Sequence, residues 1–246
     1  MIAPLAARFA MPLAAVAAAI ALALTATASA QTPDQFDKPV AVRSLTPKPD
    51  DSTEIRCTYF ADLMVRETQE GPESENAAIV RDARAPCAAT AGPGETILDT
   101  NGMTLDGRRG SYLLFSDLNP HGATGFVIID AASGRILFRD SALSHPVLQN
   151  LALENGSLRL RYRRGVNAPC SLMENAKACW AELIKGGQIP ADMQAPASGI
   201  CNDAYAREKA PRDNPSIVLY ATEVVIEPGG TTTVLSRGAA ACESMP

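Results

Sequence analysis

Leu148-Gln149-Asn150-Leu151-Ala152-Leu153-Glu154-Asn155-Gly156-Ser157-Leu158-Arg159-Leu160-Arg161-Tyr162-Arg163-Arg164 alternates apolar and polar side chains after Asn155-Gly156 and carries Leu151 and Leu153 two residues apart before it. Asn-Gly is the favoured two-residue hairpin turn, because both positions accept positive φ. That turn predicts a register of Glu154 opposite Ser157, Leu153 opposite Leu158 and Leu151 opposite Leu160. Leu158, Leu160 and Tyr162 then share one face with Leu151 and Leu153. Arg159, Arg161 and Arg163 fall on the other.

The flanking sequence has the same character. Tyr112–Phe115, Phe126–Ile129 and Ile136–Phe138 are short apolar runs in a meander over Ser111–Asp140. In the turn Asp130–Arg135, the carboxylate of Asp130 can accept backbone N–H groups and Gly134 can turn left-handed. This turn resembles the one inside β-propeller blades. Ile217–Ile226 and Thr231–Leu235 read as a third hairpin across Pro228-Gly229-Gly230, and Ile55–Val65 and Glu95–Leu105 read as strands. The expected fold is mainly β: antiparallel hairpins and meanders forming a sandwich, a barrel or a small propeller-like body, with one short α-helix near residues 176–185.

That helix rests on Ala176, Trp180, Leu183 and Ile184 at helical spacing, ended by Gly186-Gly187. Trp180 is expected in the core. Ser171-Leu172-Met173-Glu174 reads as a capping box, and Asn175 is an equally good N-cap. A start at Leu172 would set Cys179 about 12 Å along the axis, out of reach of Cys170. A start near Ala176 lets the preceding loop fold back.

The N-terminus reads as an export signal. Arg8 is the only charge in the first 30 residues. Met11–Leu24 is apolar, and Ala28-Ser29-Ala30 supplies small residues at a cleavage point. The apolar run is shorter than the roughly 20 residues that span a bilayer, so no transmembrane segment is expected after cleavage following Ala30. The Ala-rich signal points to the bacterial periplasm. Residues 31–54 carry Pro33, Pro39, Pro47 and Pro49 and read as an extended arm. Residues 55–246 read as a single β-rich domain.

Six cysteines follow the signal: Cys57, Cys87, Cys170, Cys179, Cys201 and Cys242. An even number in an exported chain predicts disulfides, and the absence of a CxxC pair argues against zinc. Loop-closure entropy favours pairing in sequence order: Cys57–Cys87, Cys170–Cys179 and Cys201–Cys242.

The net charge of −5, from 22 basic and 27 acidic residues, argues against a nucleic-acid partner. The densest basic cluster is Arg159, Arg161, Arg163 and Arg164. Alternate strand residues would set three guanidinium groups about 6.6 Å apart on one face, a candidate site for an anionic envelope component or a periplasmic protein. The competing reading is a solvated face paired with acids from neighbouring strands. Asp117-Leu118-Asn119-Pro120-His121-Gly122 resembles the first half of a calcium loop. His121, Gly125 and Ile128 then stand where the loop needs ligands, so Asp117 and Asn119 are read as an Asx-turn hairpin loop and no metal or other cofactor is expected. Nucleophilic motifs are lacking: there is no GxSxG or SxxK, and Ser144 and His145 are adjacent, pointing apart on a strand. The sequence therefore reads as an exported binding or scaffolding domain. The alternative is a periplasmic hydrolase of envelope glycans or peptides, using dispersed carboxylates.

Overall fold

The alternation seen around Asn155-Gly156 becomes two antiparallel sheets in the computed structural model, which describes residues 35–47, 52–70, 73–89, 92, 94–117, 122–143 and 150–245. The expected export signal lies outside these residues. The first sheet has the order β1-β2-β3-β4-β5, from β1 (Ala41–Leu45), β2 (Thr53–Tyr59), β3 (Met64–Glu70), β4 (Glu73–Val80) and β5 (Thr96–Leu98). The second contains β6 (Thr104–Arg109), β7 (Tyr112–Ser116), β8 (Ala123–Asp130), β9 (Ile136–Leu143), β10 (Asn150–Glu154), β11 (Ser157–Asn167), β12 (Ser216–Ile226), β13 (Thr232–Arg237) and β14 (Ala241–Ser244). Its path is β13-β12-β11-β9-β8-β7-β6, with β10 beside β11 and β14 beside β12.

The sheets pack face to face. Val65, Ala77 and Ile79 of the first meet Leu113, Phe115, Val127 and Ile129 of the second in one buried cluster. The opposite face of β7 and β8 carries Tyr112, Leu114, Phe126 and Ile128, which join Leu158, Leu160, Tyr162, Val224 and Ile226 in another. The larger sheet therefore curves over its own side chains, while remaining open rather than closing into a barrel. Phe126 and Tyr162 meet edge to face in that core, with centroids 5.1 Å apart.

The β10–β11 hairpin has the predicted register throughout. Asn155 and Gly156 hold φ of 52° and 81°. Leu158, Leu160 and Tyr162 are buried, as is Leu151. Leu153 departs from expectation: it sits at the rim, 40% exposed, against Gly110. The Asp130 turn also forms as read, with N–H groups of Ala132 and Ser133 donating to Asp130 and Gly134 at φ 74°.

The N-terminal arm is extended, but its described part is built into both sheets. Asp37 N–H donates to Arg108 O on β6, and β1 pairs with β2 from Ala41 opposite Tyr59 to Leu45 opposite Ile55. Phe36 lies on Gly107, beside a bulge in β6, and packs against the larger core.

Two helices, not one, cover the end of the second sheet: α1 (Leu172–Lys185) and α2 (Ser198–Glu208). Helix α1 begins earlier than residue 176, and both predicted caps are used. Ser171 Oγ accepts from Met173 and Glu174 N–H, at 3.2 and 3.1 Å. Asn175 then breaks the helix at φ −141°, ψ 67°, and its Oδ1 accepts from Ala178 N–H. The break brings Cys179 back to Cys170, with Cα atoms 5.7 Å apart. Trp180 is buried in the cluster that binds α1 and α2 to β11 and β12. All three disulfides join the cysteines in sequence order. Among the described residues no helix is long and apolar enough to cross a membrane.

A Cβ added at Gly107 would lie 2.5 Å from Phe36 Cγ. Gly107→Ala should therefore cost roughly 1–3 kcal/mol, the usual penalty of overpacking. Denaturant unfolding of Gly107→Ala, Phe36→Ala and the double variant checks this. The double variant should be more stable than the sum of the single losses predicts, and strict additivity would show that the two residues do not touch.

Candidate functional site

The arginine ladder forms on the outer face of β11. Arg159 and Arg161 converge on one carboxylate, Glu223 of β12, at 2.5 and 3.1 Å. Arg159 also reaches Glu154 at 3.5 Å, and Arg163 pairs with Glu243 of β14 at 3.2 Å. Pairing explains the geometry: Glu223 stands opposite Arg161 in the β11–β12 register and is reached diagonally from Arg159. Hydrogen bonds from Arg159, then Arg161, hold the Glu223 carboxyl below the usual carboxylate range. Each of these guanidinium groups thus has a carboxylate within the protein. An external anion must compete with Glu154, Glu223 and Glu243 for them. A small polar groove of about 220 Å³ lies among Asn150, Glu154, Arg159, Arg161 and Glu223.

Arg164 is separated from the ladder by strand parity. It shares the inner face with Tyr162, and its Nε donates to Asp140 Oδ1 at 2.7 Å. Its Nη1 donates to the Tyr220 hydroxyl at 2.5 Å, and the guanidinium lies over the Tyr220 ring. Tyr162 donates to the other Asp140 oxygen at 2.5 Å. Burial, reinforced by the Asp140 charge, pushes the Tyr162 hydroxyl far above its ordinary range. Tyr162 remains a proton donor, and the four groups form a half-buried ion pair that joins β9, β11 and β12.

Asp117 N–H donates to Gly125 O, so the residue anchors the β7–β8 connection. Asn119, His121, Ser144 and His145 lie outside the described residues. Among the described residues no three His, Cys, Asp or Glu side chains cluster as a metal site.

One acid has the environment that acid–base chemistry requires. Glu67 of β3 is fully buried; its Oε1 accepts from Leu105 N–H at 2.8 Å, and its Oε2 has no hydrogen-bond partner among the described residues. Burial pushes its carboxyl up, with Asp106 adding to the rise, while the Leu105 N–H and Arg56 oppose it. Glu67 stitches β3 to β6 across the two sheets. It lines none of the four described grooves.

The largest described groove lies elsewhere. It measures about 790 Å³ and runs between residues 192–197, with Ile200 of α2, and residues 234–240 of β13 and the segment after it. Val234, Leu235 and Ile200 are 42%, 48% and 44% exposed. Beyond β12, no described strand pairs with β13. Glu227 N–H donates to Thr231 O at the hairpin turn. The antiparallel alternation from there directs the main-chain groups of Thr232 and Val234 away from β12. Sequence reading found β13 but not the groove. Its other wall is contributed by a Pro-containing segment some 40 residues earlier, and no local pattern links the two.

Comparison with protein-family models, curated proteins and solved structures finds no match for this chain.

The Glu67 geometry predicts a pH dependence. A carboxyl whose folded pKa is raised stabilises fully below its unfolded value, near 4.5, and that contribution is lost as pH rises through the folded value. Glu67→Gln should therefore be more stable than wild type at pH 8, by roughly 1–3 kcal/mol, and the difference should vanish near pH 4. Urea unfolding of both chains across this range measures it; a difference independent of pH would mean that the Glu67 carboxyl titrates alike in the folded and unfolded chains.

Proposed function

We propose that the chain is exported, cleaved after Ala30, and acts outside the cytoplasm as a non-enzymatic binding domain that holds an extended segment of a partner along β13. The carrying observation is the 790 Å³ groove with an open strand edge as one wall. An open edge offers alternating N–H and C=O groups, which another extended backbone satisfies, and flanking apolar side chains add affinity.

The other ends of the two sheet paths are less available. Strand β5 has three residues, and β1 has five with Arg43 at their centre. The Asp37 N–H bonds Arg108 O on β6. Strand β13 carries no charge until its last residue, Arg237. Export is supported by the N-terminal apolar run before Ala28-Ser29-Ala30 and by the three disulfides, which persist in oxidising compartments.

Selection of binders from a displayed library of random extended peptides tests the function. Bound peptides should slow amide exchange along 232–237. Val234→Pro, which removes an outward N–H without breaking the β12 ladder, should weaken them at least tenfold with little change in melting temperature. Protection centred on Arg159–Arg163 instead would overturn the assignment.

A further inference from the structure

We infer that Glu67 is a proton-controlled latch: protonated, it ties β3 to β6, and on losing its proton it turns to Arg56 and lets the N-terminal arm leave β6. The latch is independent of the β13 groove. Glu67 has two places to point. Its Oε1 accepts from Leu105 N–H at 2.8 Å, across the two sheets. Arg56 of β2 stands directly opposite it in the strand register and is half-buried. On its other side Ala77 of β4 stands opposite and carries no charge. Asp106 of β6 is the second charged group that acts on it.

The proton decides between the two positions. Oε2 of Glu67 has no hydrogen-bond partner among the described residues. Protonated, it belongs to an uncharged group; ionised, it shares a buried charge, which costs far more. Burial and Asp106 oppose ionisation, while the Leu105 N–H and Arg56 favour it, and of these only Arg56 brings a full opposite charge. The latch is therefore closed at acid pH and opens as pH rises through the folded value. What yields is β6. Strand β3 is paired by β2 on one side and β4 on the other, whereas β6 has one strand neighbour, β7, among the described residues. Asp106 is the extra residue of the β6 bulge, between Leu105 and Gly107. The arm is seated on the residues that follow: Phe36 on Gly107, Asp37 N–H on Arg108 O, and Asp37 Oδ2 on Gly110 N–H at 2.7 Å. Loss of the Leu105 acceptor thus falls on the seat of the arm.

Fluorine NMR of the protein carrying 4-fluorophenylalanine, together with proton–nitrogen spectra of the Leu105 amide, tests this across a pH titration. The Leu105 amide and the Phe36 fluorine should shift with one common midpoint above 4.5, the ordinary value of the carboxyl. The Phe36 signal should move to a solvent-exposed position while those of the buried Phe115 and Phe126 stay. Glu67→Gln should hold Phe36 at its acid position throughout. Arg56→Gln, which removes the receiving charge, should raise the midpoint by about one pH unit. An unchanged midpoint in Arg56→Gln would overturn the latch even if Glu67→Gln fails to fold. If Leu105 titrates and Phe36 does not, release of the arm is overturned. If neither moves, or if all the fluorine signals move together, the latch is overturned outright.

Discussion

At Asn155 and Gly156 the backbone takes positive φ, and the two-residue turn they form commits every side chain of β11 to one face. Strand β11 then pairs with β12 over ten residues, so the commitment passes down the sheet. Even positions Leu158, Leu160 and Tyr162 enter the core; odd positions Arg159, Arg161 and Arg163 face out. A slip of one residue would expose the core and bury three cations, a cost no pairing could offset. Arg164 is the exception that strand alternation forces. Its parity points it inward, and it is tolerated because Asp140 and Tyr220 are there to receive it.

The outer face is a settled surface for the same reason. Glu223 lies between Arg159 and Arg161 because β12 places it there, not because a ligand site requires it. A ladder of arginines looks like an anion site only when its cross-strand neighbours are unknown. Exposed pairs of this kind add little to stability, but they cancel the local field that would draw a polyanion.

What could be read from residues alone were features whose cause is local. The Asn155-Gly156 turn, the Asp130 turn and the hairpin across Pro228-Gly229-Gly230 depend on residues adjacent in sequence, and all formed as read. Disulfide pairing was legible because closure entropy favours near neighbours. Helix α1 was half legible. Two competing caps were visible, but not that Asn175 would break the helix so that both could act. Helix α2 was missed because Ser198–Glu208 lacks a regular apolar stripe. It is held instead by the Cys201–Cys242 bond and by Tyr205, whose hydroxyl reaches Asn214 O and Ser216 Oγ at 2.6 Å each. Strand β1 and the burial of Glu67 were equally hidden: β1 forms only by pairing with β2, and Glu67 is buried where the first sheet meets the second.

The same non-local logic builds the groove. Its walls come from the approach to α2 and from the end of β13, and Cys201 and Cys242 sit one and two residues beyond the lining positions Ile200 and Ala240. The disulfide therefore joins helix α2 to β14, while backbone pairing of β14 with β12 fixes the other side of that joint. A cleft whose walls are joined by a covalent bond has less ordering entropy to lose when it is filled. The third disulfide thus ties the approach to α2, one wall of the groove, to the strand that follows β13 in sequence.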